Sequence, residues 1–360
     1  MSIHFHPLAV KKIKKETADC VSITFEIPET LKELYTYQQG QSLTLRTHLH
    51  GEEVRRTYSL CSSPLDHEWK VAVKKVEGGV FSTYANEELK AGDVLEVMPP
   101  VGKFNTPLHP EQKKHYVAFA AGSGITPVLS LLKTILRTEP QSRFTLVFGN
   151  RSRASIIFFE ELEAIKNKYL DRFQLIHVLS RERMDTPLHS GRIDGTKLDA
   201  LSKLIPFGKI DEYFLCGPEE MIFCVRDYLE ASHVPKNRIH FELFTTAGSR
   251  AAKKSTPQET GTPTGPQSHI TIKADGRSIE FNLPLDADIS LLDAALKHGA
   301  DLPFACKGGV CCTCKARLLE GEVSMDVHWG LEDHEVAEGY ILTCQSHPRT
   351  DKVSVDFDIK

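Results

Sequence analysis

The sequence predicts a multidomain protein with three folded parts: an antiparallel β-barrel, a doubly wound α/β domain and a small α+β domain. Three observations lead to this division. Short β-branched runs broken by turns fill the first 108 residues, apolar strands alternate with helical segments through the middle third, and a stretch rich in Pro, Thr, Gly and Ser precedes a C-terminal piece of about 90 residues. At 360 residues, the chain is long enough for two or three domains, each with its own core.

The N-terminal part, residues 1–108, has the pattern of an antiparallel barrel. Val21–Ile27, Ser42–Thr47 and Trp69–Lys75 are rich in β-branched residues and are separated by turn signals. Several short strands with little helix between them favour a closed all-β architecture. One helical segment, Thr83–Leu89, is predicted after a Gly-Gly pair.

Residues 109–248 alternate regularly between apolar strands and helical segments, which indicates a doubly wound parallel sheet. The predicted strands are Tyr116–Ala120, Phe144–Phe148, Phe173–Leu179 and Tyr213–Cys216. The predicted helices are one that ends near Leu136, followed by Phe158–Tyr169, Lys197–Leu204 and Glu219–Ala231. Ligands of such sheets bind beyond the carboxyl ends of the strands, so the residues that end these strands are candidates for a site.

The segment 249–268 predicts a linker, because it holds no large apolar residue that could enter a core. Beyond it, residues 269–360 predict a small α+β domain. Its predicted elements are a hairpin of Ile270–Lys273 and Ser278–Leu283 around an Asp-Gly turn, a helix at Ser290–His298 and a last strand at Val353–Phe357.

Four cysteines of the C-terminal domain have the spacing C-x4-C-x2-C followed by a distant fourth: Cys306, Cys311, Cys314 and Cys344. This is the plant-type 2Fe-2S spacing, and thiolates are the ligands that such a cluster requires. The Gly-Gly pair inside the loop allows three cysteines to converge. Four cysteines can also form a closed tetrahedral zinc site. Zinc sites usually pair two short knuckles, however, and here three sulfurs share one loop, which favours an iron–sulfur cluster.

Composition and charge argue against several classes of function. A net charge of −4 with 41% hydrophobic and 26% charged residues gives no sign of a nucleic-acid partner. No apolar run approaches the length of a membrane span, and the first residues lack a signal-peptide pattern, so we expect no membrane partner and a cytoplasmic location. Of the nine cysteines, those outside the four above show no disulfide framework, which is typical of a reducing compartment.

A glycine-rich turn, G-S-G-I-T-P at 122–127, follows the first predicted strand of the α/β domain and opens a helix. Glycines allow a pyrophosphate to approach closely, and the amides and dipole of the helix N-terminus favour its charge. The alternative is a tight strand-to-helix connection without a ligand. The place of the turn in an alternating domain favours the nucleotide site, and Pro127 fits the first helical position.

In the barrel part, Arg56, Tyr58 and Ser59 stand at a predicted strand end in the run R-T-Y-S-L. An arginine fork suits a phosphate oxygen, a tyrosine ring can stack on a flat ring, and a serine hydroxyl can bond a ring nitrogen. A surface strand with one charged residue is the simpler alternative. Downstream, the run G-G-V-F-S that contains Gly79 and Ser82 predicts a second helix-start anion site. Two phosphate-binding devices in adjacent domains indicate two nucleotides that face each other.

Polar donors also end two other predicted strands of the α/β domain. Asn150 and Arg151 follow the second strand, and Ser180 and Arg181 follow the third. Two arginines there can hold an extra phosphate, so the sequence predicts a 2′-phosphorylated nicotinamide in preference to the plain form. The alternative is that both are exposed loop arginines. Cys216 ends the fourth strand in a C-G-P run and is predicted to line the nicotinamide pocket, although a lone Cys at a strand end is commonly part of a core.

With these motifs, the chain resembles the ferredoxin–NADP reductase superfamily fused to a C-terminal plant-type ferredoxin of β-grasp fold. The runs R-R-T-Y-S-L-C-S-S, A-A-G-S-G-I-T-P and A-C-K-G-G-V-C-C-T-C carry the resemblance. It covers nearly the whole chain and implies an FAD domain at 1–108, an NADP domain at 109–248 and a 2Fe-2S domain at 269–360. The implied cofactors are FAD, NADPH and one 2Fe-2S cluster, and the choice of FAD over FMN comes from the resemblance alone.

The resemblance also implies roles for individual residues. Arg56 would bind the FAD pyrophosphate, Tyr58 would stack on the isoalloxazine ring, and Ser59 would bond near its N5 atom. The other flavin contacts would come from Val73, Lys74, Gly79 and Ser82. The nicotinamide cofactor would be bound by Gly122, Gly124, Thr126, Pro127, Cys216, Gly217 and Pro218, in addition to the strand-end residues Asn150, Arg151, Ser180 and Arg181 predicted above from their positions. Phe244, in a last strand E-L-F, would approach the exposed flavin face. The predicted catalytic residues are Ser59, Cys216 and Phe244.

The implied function is that of an electron-transfer reductase for a di-iron oxygenase component. NADPH delivers two electrons as a hydride, FAD passes them on singly, and plant-type clusters at roughly −400 mV can reduce an oxygen-activating metal centre. The linker would let the ferredoxin domain visit first the flavin and then the oxygenase. Two alternatives stay open. One is a reductase for a Rieske oxygenase, another di-iron oxygenase or a hybrid-cluster protein, and the other is a non-catalytic redox carrier or sensor with vestigial nucleotide sites.

Overall fold

The computed structural model describes residues 4–244, 266–304 and 306–359. Phe5–Phe244 form one compact unit, and the chain from residue 266 onward belongs to a second. Most of the predicted linker, and the predicted boundary at 248, lie outside the described residues. The first unit contains the predicted barrel and α/β parts, and the second contains the four cysteines.

Six antiparallel strands form the N-terminal sheet in the order β4-β3-β6-β1-β2-β5. They are β1 (His6–Thr17), β2 (Cys20–Glu26), β3 (Ser42–Leu49), β4 (Glu52–Ser59), β5 (Trp69–Lys74) and β6 (Val94–Val97). An antiparallel bridge between Leu60 and Val71 joins the two edges of the sheet. Phe25 and Tyr35 are fully buried in the interior core that the strands enclose. The predicted antiparallel barrel is confirmed.

The helix of the barrel, α1 (Val80–Glu87), begins three residues before the predicted Thr83. Phe81 and Ala85 are one turn apart on its buried face, so packing extends the helix in the N-terminal direction. A Cβ on the N-cap residue Gly79 would lie only 2.5 Å from the Ser82 hydroxyl oxygen. The tight helix start therefore needs glycine at this position.

Five parallel strands form the second sheet in the order β11-β10-β7-β8-β9. They are β7 (His115–Ala121), β8 (Arg143–Asn150), β9 (Phe173–Leu179), β10 (Glu212–Gly217) and β11 (Ile239–Leu243). The helices are α2 (Ile125–Thr138), α3 (Phe159–Lys168), α4 (Gly195–Ser202) and α5 (Glu219–Ala231). The α/β prediction is confirmed, and the strand order reverses between β7 and β10, which in such sheets marks a ligand-binding crevice at the carboxyl ends of the strands. Among the described residues, no helix is both long and apolar enough to cross a membrane.

The prediction that Pro127 occupies the first helical position is wrong. A 3-10 turn at Gly122–Gly124 leads into α2, which starts at Ile125, so Pro127 is the third helical residue. N–H groups of the first helical turn have no acceptor inside the helix, so proline loses no hydrogen bond there. The 3-10 turn ahead of α2 supplies the extra residues that shift the helix start.

The C-terminal unit contains a mixed five-stranded sheet in the order β13-β12-β18-β14-β16, and a separate pair of β15 with β17. The strands are β12 (Gln267–Ala274), β13 (Arg277–Pro284), β14 (Lys315–Glu320), β15 (Val323–Met325), β16 (Tyr340–Leu342), β17 (Ser346–Pro348) and β18 (Lys352–Asp356). The helices are α6 (Leu291–Lys297) and α7 (Asp333–Ala337). Because α6 buries Leu291 and Leu292 in the core of this unit, the predicted α+β domain is confirmed.

The predicted linker extends two residues too far at its C-terminal end. Gln267 and Ser268 pair with Pro284 and Leu283 as the first residues of β12, and Ser268 is fully buried. Their side chains are small or polar and give no strand signal. Pairing with the apolar partner strand decides their structure instead.

Glu212, at the amino end of β10, holds a charge cluster together. Its carboxylate lies 2.6 Å from His240 Nε2 and 2.9 Å from Lys114 Nζ, and it accepts a hydrogen bond from the Thr106 hydroxyl at 3.3 Å. Burial acts to raise the pKa of Glu212, but hydrogen bonds from His240 and Lys114 outweigh it and lower that pKa to about 2. The cluster connects the segment that follows the barrel to the parallel sheet.

We expect Glu212→Gln to lower the melting temperature at pH 7. We also expect the melting temperature of the variant to change less with pH between pH 7 and the acid range. A carboxylate with a depressed folded-state pKa stabilises the fold above its unfolded pKa, and this contribution is lost as the pH falls from 4.5 towards 2. Thermal unfolding of both proteins at several pH values should therefore show a difference that narrows in acid. A difference that stays constant would contradict a role for the charge.

Candidate functional site

The carboxyl ends of β10 and β11 meet the end of β4 inside the unit Phe5–Phe244. The hydroxyl of Ser59, the last residue of β4, lies 3.3 Å from a carboxylate oxygen of Glu242 on β11. Glu242 is also the register partner of Cys216 on β10. The structure thus brings two of the predicted catalytic residues, Ser59 and Cys216, to one carboxylate.

Glu242 is the residue that sequence reasoning missed. The last strand is predicted for its aromatic residue Phe244, which the structure places just after β11, partly buried against the core that contains Cys216. A signal for Glu242 exists, since it is a charged residue at the carboxyl end of a parallel strand, where ligands of such sheets bind. The run E-L-F that predicts the last strand assigns a role to its phenylalanine and none to its glutamate.

Cys216 is a neutral thiol in this site. Burial, and the nearby Glu242 carboxylate in addition, raise the pKa of Cys216 well above its usual range. A protonated thiol is a weak nucleophile, and the Cys216 side chain is fully buried in the core, so it supports the end of β10 rather than carrying covalent chemistry.

The glycine-rich turn packs directly against the end of β10. A Cβ on Gly124 would lie 2.1 Å from the carbonyl oxygen of Cys216, so only glycine fits there. Gly122 meets open space but has a φ of 54°, which glycine adopts without strain. The Thr126 hydroxyl donates to the Ser123 carbonyl at 3.0 Å and is buried. Glycine is therefore required at 124 by the close approach of the Cys216 backbone and at 122 by the positive φ. Backbone N–H groups at such a helix start favour a bound anion.

The predicted flavin residues of β4 lie in a row next to α1. The Arg56 guanidinium is partly exposed and donates to the carbonyl of Arg55 at 2.7 Å. The ring of Tyr58 is 5.6 Å from that of Phe81, and burial raises the pKa of Tyr58, so its hydroxyl stays protonated. On β4, the Arg56 guanidinium and the Tyr58 ring therefore precede the Ser59 hydroxyl.

The other predicted flavin residues differ in accessibility. The Val73 side chain is fully buried in the barrel core, so it is not available to a ligand. Lys74 is partly exposed, with its ammonium 3.6 Å from Asp19. The Ser82 hydroxyl accepts from the Val76 N–H at 3.1 Å and holds the turn before α1. Of these residues, those around the start of α1 are the best placed to meet a ligand.

A cavity of about 270 Å³ opens at the start of α1. It is lined by Leu49 at the end of β3, by His50 in the turn that follows, and by Gly78, Gly79, Val80, Thr83, Tyr84 and Glu88. The helix start offers backbone donors for a pyrophosphate. The cavity is too small for a whole dinucleotide and is not lined by Arg56 or Tyr58, so it fits one phosphate-bearing part of a flavin dinucleotide beside α1.

The predicted phosphate donors also come together. The backbone pairing of β8 and β9 continues beyond the strands, because the Ser180 N–H donates to the carbonyl of Asn150 and the Arg181 N–H donates to that of Arg151. The Asn150 side chain is only 8% exposed, and neither of its amide atoms has a partner among the described residues. A buried amide without partners is costly, so this arrangement fits a cofactor that supplies them.

The four predicted cluster cysteines lie in two pairs within the C-terminal unit. Cys306 lies within hydrogen-bonding reach of Cys311, and Cys314 lies within reach of Cys344. Hydrogen bonds from the Cys311 thiol and from backbone N–H groups, among them that of Gly308 at 3.3 Å, lower the pKa of Cys306 although burial opposes this. The hydrogen bond to Cys306, together with burial, raises the pKa of Cys311 in turn, so the pair shares one proton and its thiolate character lies on Cys306.

Local backbone geometry folds the cysteine loop tightly. Lys307, Gly309 and Cys312 all have positive φ, and a Cβ on Gly309 would lie 2.7 Å from the side chain of Val327. The Gln345 side chain donates to the carbonyl of Lys307 at 2.8 Å, which connects the segment of the fourth cysteine to the loop. The sulfur of Cys312 lies 2.6 Å from the Gly330 carbonyl oxygen.

This arrangement fits a two-iron cluster. Each iron of a four-cysteine 2Fe-2S centre takes two thiolates, whereas a structural zinc ion draws four ligands to one point. Within the part of the chain that the structure describes, no three His, Cys, Asp or Glu side chains converge on a single metal position. The sulfurs stand in two pairs instead, as a two-iron cluster requires.

Three family models match the chain, one for each part. Residues 7–106 match an oxidoreductase FAD-binding domain, residues 119–227 match an oxidoreductase NAD-binding domain, and residues 272–349 match a 2Fe-2S iron-sulfur cluster binding domain. Together they cover the three parts in the order that the sequence predicts.

Similar proteins match over nearly the whole chain. One of the subunits of 1,2-phenylacetyl-CoA epoxidase from Escherichia coli (strain K12) is 47% identical over 99% of this chain and 98% of its own length. The ferredoxin reductase component of 3-ketosteroid-9-alpha-monooxygenase from Rhodococcus rhodochrous is 34% identical over 97% of this chain and 96% of its own length.

Solved structures match over the same extent. Phthalate dioxygenase reductase, described as a modular structure for electron transfer from pyridine nucleotides to 2Fe-2S, is 25% identical with a TM-score of 0.60 and 98% of both chains covered. An intact type IV self-sufficient cytochrome P450 monooxygenase shares the fold with a TM-score of 0.67 at 22% identity, covering 98% of this chain and 41% of its own.

Proposed function

The chain belongs to the ferredoxin–NADP reductase superfamily, in the group that carries a C-terminal 2Fe-2S ferredoxin domain, and we propose that it is the reductase subunit of a phenylacetyl-CoA epoxidase in phenylacetate catabolism. It is an NAD(P)H-dependent flavoprotein oxidoreductase in which electrons pass from NAD(P)H through FAD to a 2Fe-2S cluster. It is a reductase component of a multicomponent oxygenase. The 47% identity to the epoxidase protein, against 34% to the ketosteroid component, carries the choice of partner.

We propose the following assignment of domains and ligands. The flavin domain is 1–108, the nicotinamide domain is 109–248, the linker is 249–266, and the ferredoxin domain is 267–360, because β12 begins at Gln267. Arg56, Tyr58 and the start of α1 would hold FAD, which supplies the conversion of a two-electron donor into single electrons. The cluster would be held by Cys306, Cys311, Cys314 and Cys344. A cytoplasmic location goes with this assignment, because the cysteines outside the proposed cluster set have no disulfide framework in the sequence.

The residues of the crevice would orient the two nucleotides and keep water away. The Ser59 hydroxyl and the Glu242 carboxylate, 3.3 Å apart, can hold or share a proton where the nicotinamide and the flavin ring would meet. The glycine-rich turn, packed against the backbone of the buried Cys216, would support the nicotinamide side of the crevice. In the ferredoxin domain, backbone N–H groups would stabilise the thiolate of Cys306 when it binds iron.

Reconstitution with purified partners tests the proposed function. The chain, NADPH and the catalytic subunits of a phenylacetyl-CoA epoxidase should together consume NADPH and form epoxide only when phenylacetyl-CoA is present. A Rieske oxygenase with its own substrate serves as the matched control partner. Turnover of the Rieske enzyme without turnover of the epoxidase would assign the chain to another oxygenase system.

NADPH should be preferred to NADH, and Arg181→Ala should reduce that preference about tenfold or more. A charge-assisted hydrogen bond contributes about 1.5–3 kcal/mol, and Arg181 stands beyond β9 beside Ser180 and Arg151, where a 2′-phosphate is proposed to bind. The measurement is kcat/KM for both cofactors. Arg143→Ala, an exposed arginine at the opposite end of β8, is the matched control and should leave the ratio unchanged. An unchanged ratio in Arg181→Ala would remove Arg181 from this role.

A further inference from the structure

One face of α2 is polar although the helix is buried in the first compact unit. Ser130, Lys133, Thr134 and Arg137 recur at spacings of three and four residues, so they share one face, while apolar residues fill the others. Ser130 and Thr134 are fully or almost fully buried. A buried polar face needs matching partners, and here they come from the segment that follows β4.

Two buried hydrogen bonds join the helix to this segment. The Ser130 hydroxyl donates to the backbone carbonyl of Ser62 at 2.6 Å, and the hydroxyls of Thr134 and Ser63 are 2.8 Å apart. The Ser62 hydroxyl in turn accepts from Tyr37 at 2.9 Å, which connects the contact to the barrel core. Buried bonds of this kind fix a geometry, because a shift of either segment leaves polar groups without partners.

Charged groups extend the same contact towards the surface. The Lys133 ammonium lies 2.7 Å from Asp66 and 2.8 Å from Glu161 on α3, and the Arg137 guanidinium bonds Asp66 and the carbonyl of Leu65. Burial acts to raise the pKa of Asp66, but hydrogen bonds from Lys133, from the Ser63 N–H and from Arg137 outweigh it and lower that pKa. Asp66 is therefore a carboxylate held by two cations of α2.

Both sides of the contact are close along the chain to the crevice. Ser62 follows Ser59 by three residues, and Ser130 follows Thr126 by four, which is about one helical turn of roughly 6 Å. The helix begins at the glycine-rich turn that is proposed to bind the nicotinamide cofactor, and β4 carries the proposed flavin contacts. A displacement at the contact would move one nucleotide relative to the other.

We propose that Ser130, Thr134 and Asp66 are positioning residues that set the distance and angle between the nicotinamide and the flavin. This rests on the proposed function of the crevice. In the reaction, a hydride (one proton with two electrons) leaves NADPH for the flavin, so NADPH is oxidised to NADP+ and the flavin is reduced by two electrons. Such a transfer depends steeply on geometry, because a misplacement of about 1 Å can cost on the order of a hundredfold in rate.

The test uses the full-length holoprotein and its variants Thr134→Val and Ser130→Ala. The rate constant of flavin reduction at saturating NADPH, measured without oxygen in a stopped-flow instrument, should fall about tenfold or more, because binding persists while geometry is lost. The dissociation constant for NADPH, the FAD content and the rate of cluster reduction by dithionite should not change. Thr134→Ser keeps the hydroxyl and should restore the rate.

Controls separate positioning from stability. Thr138→Val, one turn further along α2 and outside the contact, should keep the normal rate. If Thr134→Val lowers only the melting temperature and keeps the normal rate of flavin reduction, the proposal is overturned. If Thr134→Val fails to fold, Asp66→Asn replaces it. A normal rate of flavin reduction in Asp66→Asn would then overturn the proposal. The assay needs no oxygenase, so a wrong partner assignment would leave its result valid.

Discussion

Truncation after Gly248 should abolish electron delivery to the oxygenase while leaving the oxidation of NADPH by ferricyanide intact. Ferricyanide is a small acceptor that takes electrons from the flavin directly. The residues proposed to bind FAD and NADPH all lie in the compact unit Phe5–Phe244, so removing the cluster domain leaves that chemistry complete. Without the cluster, however, the proposed exit for single electrons is gone. We expect ferricyanide reduction near the full-length rate and oxygenase turnover at background level.

The control for the truncation is the same protein mixed with the separate ferredoxin domain, residues 266–360. If the domain is the exit, adding it should restore part of the oxygenase turnover in a concentration-dependent way, because the tether only raises its effective concentration. Full turnover by the truncated protein alone would show that the flavin domain docks on the oxygenase by itself. The four cysteines would then have no part in the delivery of electrons.

Cys344→Ser should lose the cluster and keep the flavin. The pair Cys314–Cys344 would lose one thiolate, and a neutral hydroxyl does not replace the sulfur that such a cluster requires. Cys344 lies in a different compact unit from the flavin residues, so FAD binding should not change. We expect one flavin and two irons per chain in the unmodified protein, and one flavin with little iron in the variant. Iron analysis and the flavin absorption spectrum measure both.

Cys312→Ser is the matched control for this prediction. Cys312 neighbours a proposed ligand, but its sulfur lies 2.6 Å from the Gly330 carbonyl and in neither pair. The variant should keep both irons. Loss of iron in Cys312→Ser with retention in Cys344→Ser would mean that the ligand set is wrong. Loss of FAD together with iron in Cys344→Ser would contradict the separation into two units.

The strands and helices of this chain follow mostly from local patterns. The alternation of apolar strands with helices predicts the parallel sheet because each strand is buried on both sides, and the Asp-Gly turn predicts the hairpin of β12 and β13. The predicted bounds of an element are wrong where a residue distant in sequence but close in space determines the local structure. α1 starts early because Phe81 reaches the barrel core, and Gln267 and Ser268 become strand because β13 pairs with them.

The residues of the candidate site also fall into two groups, those that a sequence motif predicts and those that only a tertiary contact reveals. The phosphate site and the cluster site can be recognised from sequence motifs, a glycine-rich turn and a cysteine spacing. Each of these ligands requires several residues at fixed distances along the chain. Glu242 has no such motif, since its partner Ser59 is 183 positions away. The contact of Thr134 with Ser63 spans 71 positions and depends on how two folded parts pack. One sequence holds no information on such pairs beyond the polar character of each residue.

An anaerobic single-turnover experiment tests the proposed electron path most directly. The protein is mixed with NADPH, and flavin absorbance is followed in a stopped-flow instrument while cluster reduction is followed by rapid-freeze electron paramagnetic resonance. The path from NADPH through FAD to the cluster predicts that flavin reduction comes first, that the cluster signal rises afterwards, and that Cys344→Ser keeps the first phase without the second. A cluster reduced equally fast in protein stripped of FAD would contradict this path.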